Sequence, residues 1–215
     1  MSAATARVPV DAGIVNGGSA VATRKFYDSA DAHWMVKVFP GEYFVTSKQD
    51  EVLVTVLGSC VAACIRDPQR RIGGMNHFML PHSKGGNWGG DMQSTRFGNF
   101  AMEKLINELM KAGCSRSSLE IKVFGGGNVT DTQNAIGTEN CRFIMRYLES
   151  EGLRCSVQDL GGLLPRRIHY YPETGRVIRR LLGSGESKAV AREETEYVSR
   201  LSTRTMAGEI QLFDE

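Results

Sequence analysis

From Trp34 the chain is a succession of short β-prone runs set close together, and this limits it to a fold whose core is mainly strands. Residues 34–39, 42–46 and 52–57 are rich in valine and aromatic side chains and are punctuated by Pro40-Gly41 and Gly58. A second group, 60–66 and 72–80, is separated by Asp67-Pro68-Gln69-Arg70, a turn sequence with aspartate and proline in it. These two runs read as a β-hairpin.

The remaining segments mix periods. Residues 95–112 carry apolar side chains at 97, 100, 101, 105 and 109 and close on Gly113, the pattern of an amphipathic helix with a glycine stop. Residues 119–124 alternate like a strand and run into Gly125-Gly126-Gly127-Asn128. No Gly-Lys-Ser/Thr follows, so this is read as a tight turn and not as a phosphate cradle. A second helix is expected over 138–150, with Thr138 as its N-cap and Gly152 beyond its end. Strands are expected at 153–160, 166–171 and 176–182. Periodicity alone gives an α+β chain.

Three segments follow from composition. Residues 1–32 have few large apolar side chains and read as a flexible arm, 33–183 as the folded domain, and 184–215 as a charged, helical or disordered tail. The 26 basic and 24 acidic residues leave a net charge of +2 spread along the chain, which proposes no nucleic-acid partner. No apolar stretch approaches the roughly 18 residues of a membrane span, and no basic segment with an apolar run opens the chain, so the expectation is a cytoplasmic protein without membrane insertion. Five scattered cysteines, an odd number, fit reduced thiols better than a disulfide framework.

Among these cysteines Cys60 has a context that suggests chemistry. It follows the small-residue turn Leu57-Gly58-Ser59, where backbone N–H groups of Gly58, Ser59 and their neighbours can approach a developing oxyanion. If the hairpin turns between Pro68 and Gln69, Cys60 lies opposite His77, and directly opposed side chains on one face have Cβ atoms roughly 5 Å apart. A histidine at that distance generates the thiolate a cysteine nucleophile needs. Thr55 lies just upstream and is the candidate third member, its hydroxyl orienting the imidazole through the other ring nitrogen. A strand threonine packing its methyl group is the competing reading. Asn76 and Trp88, the latter in the glycine-rich loop 85–90, are candidate substrate contacts, with Trp88 folded over the core rim as the alternative.

The run Thr55-Val-Leu-Gly58-Ser59-Cys60-Val-Ala-Ala-Cys64, with Gly73-Gly74-Met75-Asn76-His77-Phe78-Met79-Leu80-Pro81, closely resembles the CheD family of chemoreceptor glutamine deamidases. Further landmarks are Phe124-Gly125-Gly126, Ile136-Gly137-Thr-Glu139-Asn140, Asp159-Leu-Gly161-Gly162 and Pro165-Arg166-Arg167. Thr138 departs from the glutamate the family often carries there. The resemblance implies an α/β three-layer sandwich, two packed mixed β-sheets with helices over one outer face. It implies catalysis by Thr55, Cys60 and His77 without a cofactor, on glutamines of methyl-accepting chemotaxis receptors. A CheC-type phosphatase is a further partner it suggests.

Three rivals remain at this level. The spacing Cys60-x3-Cys64-x12-His77-x4-His82 imitates a zinc finger, yet four strand residues span about 13 Å, too far for two sulfurs to share one metal, so no metal is expected. The others are a non-catalytic regulator that binds the phosphatase, and a cysteine hydrolase with a different acyl donor.

Overall fold

The computed structural model describes residues 25–80, 91–129 and 136–206. Among these residues ten strands form two mixed five-stranded sheets. The first has the order β1 (Lys25–Asp28), β2 (His33–Lys37), β4 (Glu51–Leu57), β9 (Arg166–Tyr171), β10 (Arg176–Leu181). The second has the order β3 (Glu42–Thr46), β6 (Ile72–His77), β5 (Val61–Asp67), β7 (Glu120–Gly125), β8 (Cys155–Leu160). Helices α1 (Asp91–Lys111) and α2 (Ile136–Ser150) cover the outer face of the second sheet, and α3 (Ser184–Met206) follows the last strand. This is the three-layer α/β sandwich the family resemblance implies.

Strand alternation assigns side chains to layers. In β5, Ala62 and Cys64 face the first sheet, where they pack with Leu53, Leu57, Ile168 and Tyr170, while Val61, Ala63 and Ile65 face α1 and α2. The helical layer seals against this outer set through Met102, Leu105, Ile106, Leu109, Phe143 and Ile144. Gly74 allows the close approach, since a Cβ there would come within 2.8 Å of Leu105 Cδ1 and 2.6 Å of the Phe44 carbonyl oxygen. Phe100, expected on the inner stripe of α1, is on the outside, 51% exposed. The buried stripe runs through 102, 105, 106 and 109 instead.

Several boundaries differ from the sequence expectation. β1 lies inside the segment read as an arm and pairs antiparallel with β2, held in part by Lys25 to Glu51 at 2.6 Å. α2 opens at Ile136, so Thr138 sits in its first turn, its hydroxyl accepting from Asn128 Nδ2 at 3.2 Å, and is not the N-cap. The hairpin also turns later than expected. Asp67 pairs with Ile72, its carboxylate accepts from the backbone of Gln69 and Arg70, and Arg71 takes a left-handed conformation at φ 55°. The loop is therefore 68–71, a four-residue connection, and Val61 faces Phe78. His77 is not directly opposite Cys60. It is displaced from that position by two residues, and because the side-chain period is two, both still face the inter-sheet layer.

Candidate active site

The first sheet and the cysteine hairpin meet at one end of the sandwich, and there Thr55, Cys60 and His77 converge. Thr55 comes from the inner face of β4 and His77 from the inner face of β6. Cys60 ends the turn that joins β4 to β5. All three are buried, with Cys60 inaccessible.

The hydrogen bonds of His77 fix its tautomer. Thr55 Oγ1 donates its single hydrogen to the Val38 carbonyl at 2.7 Å and lies 2.8 Å from His77 Nδ1. With that hydrogen committed, the hydroxyl accepts, so Nδ1 carries the proton. The Val38 carbonyl, 3.3 Å from the same nitrogen, is an acceptor only and demands the same assignment. Nε2 is left as the basic nitrogen, buried and without a hydrogen-bond partner. Burial drives the His77 pKa from its ordinary 6.5 down to about 4, against the opposing pull of the Val38 carbonyl and the Glu194 charge. Burial likewise pushes the Cys60 thiol well above its usual range, reinforced by the negative charge of the Glu194 carboxylate. The resting pair is thus neutral thiol and neutral imidazole, and a thiolate forms by proton transfer during attack.

Substituting Thr55 tests its orienting role. Thr55→Val keeps the shape and removes the acceptor, leaving Nδ1–H only the longer contact to Val38. A fall in kcat of about ten- to hundredfold with KM little changed is expected, restored in large part by Thr55→Ser, as measured by steady-state amide hydrolysis.

The turn before the nucleophile is a nest of aligned donors. The carbonyls of Gly58, Ser59 and Cys60 are engaged by Gly127 N at 2.7 Å, Asn140 Nδ2 at 2.8 Å and Gly126 N at 2.7 Å. The opposite side of the same turn presents the N–H groups of Gly58, Ser59 and Cys60 together with the Ser59 hydroxyl. These four donors converge on one carboxylate, that of Glu194 in α3, at 3.1, 2.9, 3.0 and 2.7 Å. Convergent backbone N–H groups of this kind make an anion site, and a tetrahedral oxyanion is the species such a site stabilises during acyl transfer.

Gly58 and Ser59, expected to support an oxyanion, both contribute donors to this nest. Asn76 does not join the site: it is 1% exposed on the opposite face of β6, its amide donating to the Ala101 carbonyl and Met102 Sδ and accepting from Ala63 N. Adjacent strand residues point to opposite faces, so Asn76 cannot share the inter-sheet layer with His77. Trp88 and His82 lie outside the described residues. Two residues at the site had no assigned role in the sequence reading. Asn140, fully buried on α2, ties the Ser59 carbonyl to Leu80 N through its two amide ends. Glu194 fills the donor nest. Beside the pair a cavity of about 530 Å3 opens, lined by Val38, Pro40, Thr55 and His77 and by Glu193 and Glu194 of α3.

A thiol, an imidazole held in one tautomer by a hydroxyl, and a nest of backbone donors make up the arrangement that cysteine-dependent acyl-transfer enzymes use. Comparisons with known proteins identify the family. A family profile described as CheD chemotactic sensory transduction matches residues 79–181. The chain is 50% identical over 190 residues to the probable chemoreceptor glutamine deamidase CheD of Rhodopseudomonas palustris strain BisA53, covering 88% of this chain and 89% of that protein. It is 45% identical over 193 residues to the protein so named from Hahella chejuensis, covering 88% and 90%. Against that of Bordetella petrii it is 52% identical over 170 residues, covering 78% and 75%. The chain belongs to the CheD family. No helix among the described residues is long and apolar enough to cross a membrane.

Proposed function

We propose that this protein hydrolyses the side-chain amides of chemoreceptor glutamines to glutamate, with Cys60 as nucleophile. The observation that carries the reading is the nest of Gly58, Ser59 and Cys60 donors closed on a glutamate carboxylate, the product group of that reaction, beside a histidine whose Nε2 is free to take a proton. Family membership and the names of the relatives supply the substrate.

In the forward reaction the Cys60 thiol passes its proton to His77 Nε2 as sulfur bonds to the amide carbon. The oxyanion is held by the Gly58–Cys60 donors. The protonated His77 gives that proton to the departing nitrogen, ammonia leaves, and a thioester remains. Water, deprotonated by Nε2, cleaves it to glutamate and thiol. Thr55 holds Nδ1–H throughout, so the imidazole alternates between base and acid without rotating.

On this reading the receptor glutamines lie on cytoplasmic helices and the protein acts there, with residues 33–183 as the proposed catalytic unit and Trp88 as a proposed substrate contact. A CheC-type phosphatase as regulatory partner is supported by the family resemblance alone. Incubation with a purified receptor cytoplasmic fragment is expected to add about 1 Da per converted glutamine, NH2 being exchanged for OH, with no gain in a matched Cys60→Ala preparation. A competent receptor fragment whose mass does not change with wild-type protein would rule the reading out.

A further inference from the structure

Glu194 is separated from its partners by more than 130 residues of chain, and its carboxylate is the only group the donor nest holds among the described residues. It comes from the inward stripe of α3. Val190, Glu194 and Tyr197 are spaced by four and three residues and so lie on one helix face. Val190 and Glu194 are each 7% exposed, and Tyr197 packs against the inter-sheet core.

Two glycines form the bed for this stripe. A Cβ on Gly58 would lie 2.7 Å from Glu194 Oε2, and a Cβ on Gly41 would lie 2.6 Å from the Tyr197 hydroxyl. Glu194 makes no ion pair with a lysine or arginine among the described residues. A buried carboxylate without a cation is costly, and here four hydrogen bonds from the turn before Cys60 offset the lost hydration. Beside it, Nε2 of His77 is buried and has no hydrogen-bond partner.

We infer that α3 is a built-in pseudo-substrate: its Glu194 carboxylate occupies the acyl subsite as the product of the protein's own reaction would, and the helix must leave before a receptor glutamine enters. The inference rests on the deamidase reading and adds its regulation. The occupant is a glutamate on a helix, and the product of the reaction is a glutamate on a helix. Docked, it blocks the donor nest and helps to bury the cysteine. Undocked, it releases both at once.

Glu194→Gln tests the assignment directly, because it keeps the shape of the side chain and offers Cys60 an amide. Cys60 Sγ bonds to the introduced amide carbon, its proton passes through His77 to the leaving nitrogen, ammonia departs, and water returns a carboxylate and a free thiol. The purified variant is expected to revert to glutamate at position 194, with a gain of about 1 Da by peptide mass. A Glu194→Gln/Cys60→Ala double variant is expected to keep its glutamine.

Glu194→Ala in the full chain removes the anchor. Iodoacetamide labelling of Cys60 and turnover of a receptor fragment are both expected to rise at least about tenfold, since the competent open state no longer competes with a docked carboxylate. Equal labelling and turnover for wild type and Glu194→Ala would overturn the inhibitory role. An introduced glutamine that survives in protein able to turn over receptor would overturn the assignment to the acyl subsite. Reversion at 194 and faster labelling without any receptor turnover would sustain the pseudo-substrate and remove the receptor as substrate, so failure of the two readings is told apart.

Discussion

Cys60→Ala is expected to abolish amide hydrolysis, a loss of at least about 10^4-fold, and His77→Gln to lower kcat by about 10^3- to 10^4-fold while KM moves little. The two losses are not additive, because thiol and imidazole act as one unit: with neutral groups at rest, no thiolate exists until Nε2 receives the proton. A pH series separates this arrangement from a preformed ion pair. His77 is held neutral down to about pH 4, by burial first of all, whereas in the unfolded chain it protonates near its ordinary 6.5. Below 6.5 the unfolded state therefore binds a proton that the folded state refuses. Stability is fully present above about 6.5 and falls as pH drops toward 4, by no more than about 3 kcal/mol. Denaturant melts of wild type across this window are expected to show the decline, and those of His77→Gln a flatter profile. An equally steep decline in His77→Gln would show that other groups carry it.

Strand periodicity made the layers legible, and it is the reason Cys60 and His77 still share a layer despite an error in the turn. The expected turn at Pro68 placed His77 against Cys60; the actual loop, set by the Asp67 carboxylate and the left-handed Arg71, moves the pairing by two residues and leaves both side chains on the same face. The same rule argues against Asn76 as a substrate contact, since a neighbour of His77 in a strand belongs to the opposite layer. Position along the chain could not reveal Asn140 or Glu194. Asn140 acts on Ser59 across 81 residues and Glu194 on the cysteine turn across 134 to 136, contacts that only the folded packing creates. The helix that carries Glu194 is rich in charge and weakly patterned, so its three-residue stripe is hidden among exposed polar positions. β1 escaped notice for a related reason: four residues of strand depend on pairing with β2 more than on their own propensity.

The triple glycine that starts at the last residue of β7 reads in the sequence as a turn toward the next helix, and its role in the structure gives a second large effect. Gly125 and Gly126 have φ of 114° and 66°, where a side chain is strained, and they back directly onto the nucleophile. A Cβ on Gly125 would come within 2.1 Å of the Cys60 carbonyl oxygen, a backbone atom that cannot rotate away, and that carbonyl is the acceptor for Gly126 N. Gly125→Ala is expected to cost about 3 kcal/mol, from left-handed strain and overpacking together. That corresponds to a fall in Tm of about 10 °C. Gly152, at φ 62° with nothing within 4 Å of a Cβ, carries the conformational strain alone. Gly152→Ala therefore costs about 1 kcal/mol and leaves turnover intact. The difference between the two variants isolates contact with the cysteine turn. Residual folded Gly125→Ala, assayed below its Tm, is expected to lose at least about a hundredfold in kcat, because pushing the Cys60 backbone away from the glycine displaces the N–H donors of the same turn. A variant that loses stability and keeps full kcat would mean that the glycine loop supports the fold without setting the donor geometry.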